Sequence, residues 1–359
     1  VSLAVAIDGI ASPIGHDLLS QLDVDPEIEA VLGLDAVLPR ELPEKVRGEA
    51  GPLDESLGTR FAEAGISLAA YLSPDVCGRA TPLDGAAGKE IERLERFLAA
   101  AAEAPVRSIV VASGSFIYGA GTAGAGPIGE GAPLRALGFP PAKADLGRES
   151  LVATFARANP SIAVAIARLA PVVGGASEGA APRFLSAKRI VGLAGFDPLF
   201  QFLHVEDAAL ALFRLMKARA VGRYNVAPDD AVSLVSVART LKKTVARYRP
   251  SVAAAIAGAG RALGLRGPAG LGPSLLPLLK NPVVLSNRKI KRDLGYNFKY
   301  SSDPRVRQQG LMGCMSGHAA SCWTPPAPPV RMLPWLPKPA PPPRAAAIDS
   351  EPCSSPTAS

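Results

Sequence analysis

Val1-Ser2-Leu3-Ala4-Val5-Ala6-Ile7-Asp8-Gly9-Ile10-Ala11-Ser12-Pro13-Ile14-Gly15 decides how this chain is read. An apolar strand, Val1 to Ile7, runs into a glycine turn, and a helix with Leu18, Leu19 and Leu22 on one side follows. A second strand, Ala30 to Leu34, ends in Asp35. That order suits a dinucleotide. Gly9 can turn tightly off the strand, Gly15 lets the helix sit close to the sheet, and the helix N-terminus offers N–H groups and a positive dipole end to a pyrophosphate. Asp35, twenty residues after Gly15, stands where a carboxylate accepts hydrogen bonds from an adenosine ribose and disfavours a 2′-phosphate. NAD is therefore expected in preference to NADP. Ser12 takes the middle glycine position, where its side chain would crowd the pyrophosphate, and Pro13 and Ile14 open the helix between Ser12 and Gly15.

Strand and helix patterns keep alternating after Asp35. Ile66 to Tyr71 reads as a short buried strand, Ile91 to Ala102 as a helix, and Ser108 to Ala112 as a β-branched strand entering Ser113-Gly114-Ser115. Ser150 to Ala158 then reads as helix and Ile162 to Ala167 as strand. Repeated βα units predict an α/β fold, a doubly wound parallel sheet covered on both faces. Ligands on such sheets lie beyond the carboxyl ends of the strands, so Gly9, Asp35, Ala69, Ser113 and Arg168 should converge on one crevice.

Beyond about Gly175 the pattern turns irregular. Leu199 to Val205 leads into an Ala-rich helix, Asp207 to Lys217, with Glu206 and Asp207 at its start and Arg214 and Lys217 near its end, as its dipole favours. Leu234 to Tyr248 has the spacing of a second amphipathic helix, with Val237, Leu241, Val245 and Tyr248 on one face. The predicted organisation is a dinucleotide-binding domain over 1–175, a smaller mixed substrate-capping lobe over 176–302 that returns some elements to the sheet, and a Pro-rich disordered tail over 303–359. The last 39 residues hold 12 of the 35 prolines, which argues against a packed core there.

At 48% hydrophobic and 20% charged residues the composition is that of a soluble globular chain. No apolar run reaches transmembrane length, and Asp8 inside the first apolar stretch reads as core strand, not signal peptide. Four scattered cysteines give no disulfide framework, so a cytoplasmic location is expected. Cys314, His318 and Cys322 are spaced four apart without a convincing fourth ligand, and no metal site is expected. The net charge of +7 is uneven: 231–292 contains no Asp or Glu but carries Arg239, Lys242, Lys243, Arg247, Arg249 and seven further cations. A basic face of this kind suits an anionic or lipid-like small-molecule substrate, or peripheral contact of 231–292 with a membrane. Nucleic acid is not expected, because aromatic residues are few and no recognition motif accompanies the charge.

With these segments placed, the chain resembles the extended short-chain dehydrogenase/reductase family, in its NAD-dependent epimerase/dehydratase branch, from about Val1 to Ser302. The family's Thr-Gly-x-x-Gly-x-x-Gly turn falls on Asp8 to Gly15, its cofactor-selecting acid on Asp35, and its Arg-Gly-Asp stretch on Arg47-Gly48-Glu49. Its His-Leu-Ala-Ala strand end becomes Ser67-Leu68-Ala69-Ala70, and its Ser-Ser-x-x-x-Tyr-Gly element becomes Ser113 to Gly119. Arg168-Leu169-Ala170-Pro171, His204-Val205-Glu206-Asp207 and Leu294-Gly295-Tyr296 resemble later family marks. The resemblance implies cofactor contacts at Gly9, Ser12, Pro13, Ile14, Gly15, Asp35, Glu49, Ala69, Ala70, Lys143 and Ala170. It also implies a Rossmann-type fold and a homodimer through the helices containing Ile91 to Ala102 and Lys143 to Ala158.

The chemistry departs from the pattern. The family's proton-relay Tyr-x-x-x-Lys corresponds to Phe139-Pro140-Pro141-Ala142-Lys143, which keeps the lysine and lacks the phenol. The usual substrate-holding Ser falls on Gly114, leaving Ser113 and Ser115 beside it, and Tyr118 is the nearest phenol. A positioned acid/base contributes about a hundred- to ten-thousand-fold to such reactions. Two function classes follow: an oxidoreductase or epimerase on a sugar-nucleotide, steroid-like or other hydroxyl/carbonyl substrate with an atypical site, or a non-catalytic dinucleotide-binding sensor or scaffold.

Overall fold

The computed structural model describes residues 2–73, 76–77, 86–119, 126–135, 140–175, 177, 180–262, 273–281 and 283–302. Phe139 and the Pro-rich tail lie outside the described residues. In chain order the first half runs β1 (Leu3–Asp8), α1 (Pro13–Val24), β2 (Ile28–Asp35), β3 (Val46–Ala50), α2 (Leu57–Glu63), β4 (Ile66–Tyr71), α3 (Ala86–Glu103), β5 (Ser108–Gly114), a 3₁₀ turn (Ser115–Tyr118), α4 (Pro140–Ala158) and β6 (Ala163–Leu169). The second half continues with β7 (Val172–Val173), α5 (Ala180–Ser186), β8 (Arg189–Leu193), β9 (Leu199–Phe200), β10 (Leu203–His204), α6 (Val205–Lys217), β11 (Gly222–Val226), β12 (Val232–Ser233), α7 (Leu234–Thr240), β13 (Thr244–Tyr248), α8 (Pro250–Ala262), a 3₁₀ segment (Pro273–Leu279) and α9 (Arg288–Leu294).

Seven strands form one parallel sheet in the order β11-β6-β5-β4-β1-β2-β3. Both faces are covered, as near-continuous apolar strands require. Val5, Ile7 and Ala70 point to the side holding α1 and α6, where Leu18, Leu22, Leu212 and Leu215 meet them in one core. Ala6, Ala69 and Val111 point to the other side, against Phe61 of α2, Leu94 and Phe97 of α3 and Val152 of α4. The strand order reverses between β1 and β4, with β2 and β3 to one side and β5, β6 and β11 to the other. That switch point opens a crevice beyond the carboxyl ends of the strands, where Gly9 lies.

The C-terminal lobe has its own small core of Phe184, Leu185, Ile190, Leu193, Phe202, Leu234 and Val237. The stretch 234–248 differs from its helical reading. It breaks into α7 and the strand β13, which pairs in parallel with β8 from Thr244↔Arg189 to Tyr248↔Leu193. Lys242, at φ 53°, makes the break. Val237, Leu241, Val245 and Tyr248 satisfy a helical stripe, but Thr244 to Tyr248 also alternate as a strand does, and the partner strand fifty-odd residues upstream decides between them. Glu206 and Asp207 do begin an α-helix, capped by His204. Asp207 also accepts the backbone N–H groups of Lys299 and Tyr300 at 3.0 and 2.9 Å, and its carbonyl accepts the Tyr296 hydroxyl at 2.7 Å. The His204 ring stacks on Tyr300 at 3.8 Å between centroids, so His-Val-Glu-Asp latches the segment 296–302 to the sheet. Among the described residues no helix is long and apolar enough to cross a membrane.

Candidate dinucleotide site

The glycine turn is fixed by sterics. Gly9 has φ +95°, and a Cβ there would lie 2.6 Å from the Leu72 carbonyl oxygen; a Cβ on Gly15 would lie 2.4 Å from the Gly9 oxygen and 2.8 Å from Ile10. Only backbone without side chains permits β1, α1 and the end of β4 to come this close. Ser12 does not project into the crevice. Fully buried, it donates its hydroxyl to the Gly9 carbonyl at 2.7 Å and accepts the Gly15 N–H at 3.0 Å, which makes it the N-cap of α1. Pro13 has no N–H to satisfy, and Ile14 anchors the helix in the core. Asp35 comes to the same turn: its carboxylate accepts the Ala11 N–H at 2.9 Å. Gly9, Ser12, Pro13, Ile14, Gly15 and Asp35 are thus brought together at the N-terminal end of α1, the end of a helix that favours an anion.

Other expected contacts lie elsewhere. Ala69 and Ala70 sit within β4, buried in the two opposite cores, below the strand end formed by Tyr71, Leu72 and Ser73. Ala170 is buried and gives its N–H to the Val226 carbonyl at 2.9 Å. The Glu49 carboxylate is held by Arg60 at 2.6 Å and Arg47 at 3.2 Å.

Across the carboxyl ends of the strands run three groups of ions. Arg93 of α3 donates to both Asp8 carboxylate oxygens at 2.7 and 2.5 Å and to the Gly51 carbonyl at 2.8 Å. Burial pushes the Asp8 carboxyl above its ordinary range, and Arg93 pulls it partly back. Arg148 of α4 pairs with Asp145 and donates at 2.6 Å to Glu90, which also accepts the Ser73 hydroxyl at 2.5 Å. Glu149 accepts two bonds from Arg168, at 2.8 and 2.5 Å, and the Ser113 hydroxyl at 3.0 Å. The Tyr118 hydroxyl accepts from Arg168 at 2.8 Å and donates to Asn225 at 2.6 Å. Burial raises the Tyr118 pKa despite Arg168. Ser115 is buried at the start of the 3₁₀ turn.

Helix phase decides what α4 presents to these strands. Its buried positions are Ala142, Asp145, Arg148, Glu149 and Val152, the stripe expected at helical spacing, while Lys143 is exposed to solvent. A Cβ on Gly114 would lie 2.7 Å from an Asp145 carboxylate oxygen, so a carboxylate fills the space beside the position where the resemblance puts a substrate-holding hydroxyl. Asp145, Arg148, Glu149 and Arg93 were not singled out from sequence, whereas Glu90 falls near the family's expected Asn in the helix before β5. The signal available was charged residues on the apolar stripe of a helix, at Asp145 and Arg148-Glu149.

Comparisons with known proteins agree with this geometry. Uncharacterized proteins of Mycobacterium tuberculosis and Mycobacterium bovis are each 29% identical over 251 residues, 66% of this chain and 65% of their own length. The match therefore spans just under two thirds of those relatives. MoeE5 in complex with UDP-glucuronic acid and NAD shares the fold at a TM-score of 0.60 and 21% identity, over 84% of this chain and 95% of that one. DesIV, a dTDP-glucose 4,6-dehydratase of Streptomyces venezuelae with NAD and TYD bound, shares it at 0.63 and 17% identity, over 87% and 96%. Residues 53–227 match the family described as NAD dependent epimerase/dehydratase. Through that segment, which takes in β4, β5, β6 and β11 of the seven-stranded sheet described above, the chain is similar to the NAD-dependent epimerase/dehydratase family.

Proposed function

We propose that this chain binds NAD at the Gly9–Gly15 turn and acts as a non-catalytic dinucleotide-binding sensor or scaffold. Gly9, Gly15 and the start of α1 would hold the pyrophosphate, and Asp35 at the end of β2 would meet the adenosine ribose and disfavour NADP. Bound NAD supplies a carbon that can accept hydride. Hydride chemistry at a carbon bearing oxygen also needs a proton moved on that oxygen.

The observation that carries the reading is the Asp145 carboxylate beside Gly114. A lysine facing this point would favour an ionised phenol, whereas a carboxylate disfavours one. Counting four residues back from Asp145 gives Pro141, and four back from Lys143 gives Phe139, so neither register supplies a phenol. Tyr118 and Ser113 are committed to Asn225, Arg168 and Glu149, which leaves them holding strands together. The NAD-bound sugar-nucleotide structures that share the fold support a nucleotide-sugar or related anionic small molecule as second ligand.

The test is a single-turnover experiment in which the NAD-loaded chain is mixed with UDP-glucose, UDP-glucuronic acid or dTDP-glucose while nicotinamide absorbance is followed. No reduction and no change in the sugar is the expected result. Turnover at rates ordinary for epimerases would overturn the non-catalytic reading. Turnover that appears only after Phe139→Tyr would show a dormant site that kept its geometry.

A further inference from the structure

We infer that the C-terminal lobe carries a docking face for an anionic lipid surface, centred on α8. A surface helix ordinarily turns polar and charged side chains outward. From Pro250 to Gly260, α8 has no charged residue at all. Of residues 250–256 only Ala253 is buried, while Val252 and Ile256, one turn apart on the same side, are 46% and 40% exposed. These are two of the few large apolar side chains that the described residues leave in solvent.

Charge identifies the occupant. Segments 180–192 and 231–262 contain no Asp or Glu, and Lys188, Arg189, Arg239, Lys242, Arg247 and Arg249 are all exposed. Arg247 and Arg249 directly precede α8. An apolar helix face that begins directly after two exposed arginines, in a lobe rich in cations, matches a bilayer interface, where aliphatic side chains enter the acyl boundary and cations meet anionic headgroups. An RNA ligand would use the cations but gives no reason to expose Val252 and Ile256.

The experiment is co-sedimentation of the full-length chain with vesicles of equimolar phosphatidylcholine and phosphatidylglycerol, against vesicles of phosphatidylcholine alone. Binding only to the mixed vesicles is expected, weakening as salt rises. Val252→Glu with Ile256→Glu, and separately Arg247→Glu with Arg249→Glu, should each reduce it by about tenfold or more, at unchanged far-ultraviolet circular dichroism. Both pairs are exposed, so neither disturbs the core. Equal partition onto the two vesicle types, binding unchanged in the Val252/Ile256 variant, or capture of single-stranded RNA without vesicle binding would each overturn the inference.

Discussion

Replacing Gly114 with alanine separates two effects of opposite sign. Gly114 has φ −100° and ψ 149°, extended backbone that any residue adopts. With nothing in the way, Gly→Ala at such a position stabilises by about 0.4–1 kcal/mol through the unfolded chain. Here the new Cβ would lie 2.7 Å from an Asp145 carboxylate oxygen. That oxygen cannot swing into water: Asp145 is 1% exposed and paired with Arg148, itself 1% exposed and bonded to Glu90 at 2.6 Å. Overpacking against a fixed group costs about 1–3 kcal/mol, so the contact outweighs the entropic gain and Gly114→Ala should destabilise by about 1–2 kcal/mol. In an Asp145→Ala background the contact is gone and the sign should reverse, a coupling of about 2 kcal/mol. Urea denaturation of the four proteins, read as midpoints at constant slope, measures it. A Gly114→Ala effect equal in both backgrounds would refute the placement of Asp145.

Three other outcomes follow from the same structure. Gly15→Ala places a Cβ against backbone atoms of Gly9 and Ile10 that have no room to yield, and should cost about 3 kcal/mol or more by denaturant titration. Arg168→Met leaves the Glu149 carboxylate, 4% exposed as a side chain, with only Ser113 and the more distant Arg223 at 3.4 Å among the described residues, and should cost about 3 kcal/mol, partly regained in an Arg168→Met/Glu149→Leu double variant measured the same way. Burial, with Glu206 nearby, pushes the Asp17 carboxyl up to about 6. Because its folded pKa lies above the unfolded value, the stabilising contribution is present below about pH 4 and is lost as pH rises through 6, by about 3 kcal/mol. Thermal melts across that range should therefore show Asp17→Asn gaining on the wild type as pH rises, and parallel pH profiles would contradict it.

Residues that act within their own segment were legible in the sequence. Gly9 and Gly15 are demanded by the strand–turn–helix they sit in, Asp35 by the end of the next strand, and the alternation of strands and helices led directly to the parallel sheet. Residues whose role is set by a distant partner were not. Ser12 reads as an obstruction until its hydroxyl is seen turned back onto Gly9 and Gly15. Lys143 matches the family's spacing and is exposed, but Asp145 and Glu149, which meet Gly114 and Ser113 of β5, carry no such local mark. Arg93 meets Asp8 across 85 residues, and no local pattern announces such a pair. Thr244 to Tyr248 satisfied both helical and strand periods, and only β8 decides between them.

The Gly9–Gly15 turn is proposed to hold a dinucleotide. Calorimetric titration of the full-length chain with NAD and then NADP tests it most directly. Saturable binding of NAD, weaker binding of NADP because of Asp35, and loss of both in a folded Gly15→Ala protein are expected. Absence of saturable binding of NAD to the folded wild type would contradict it.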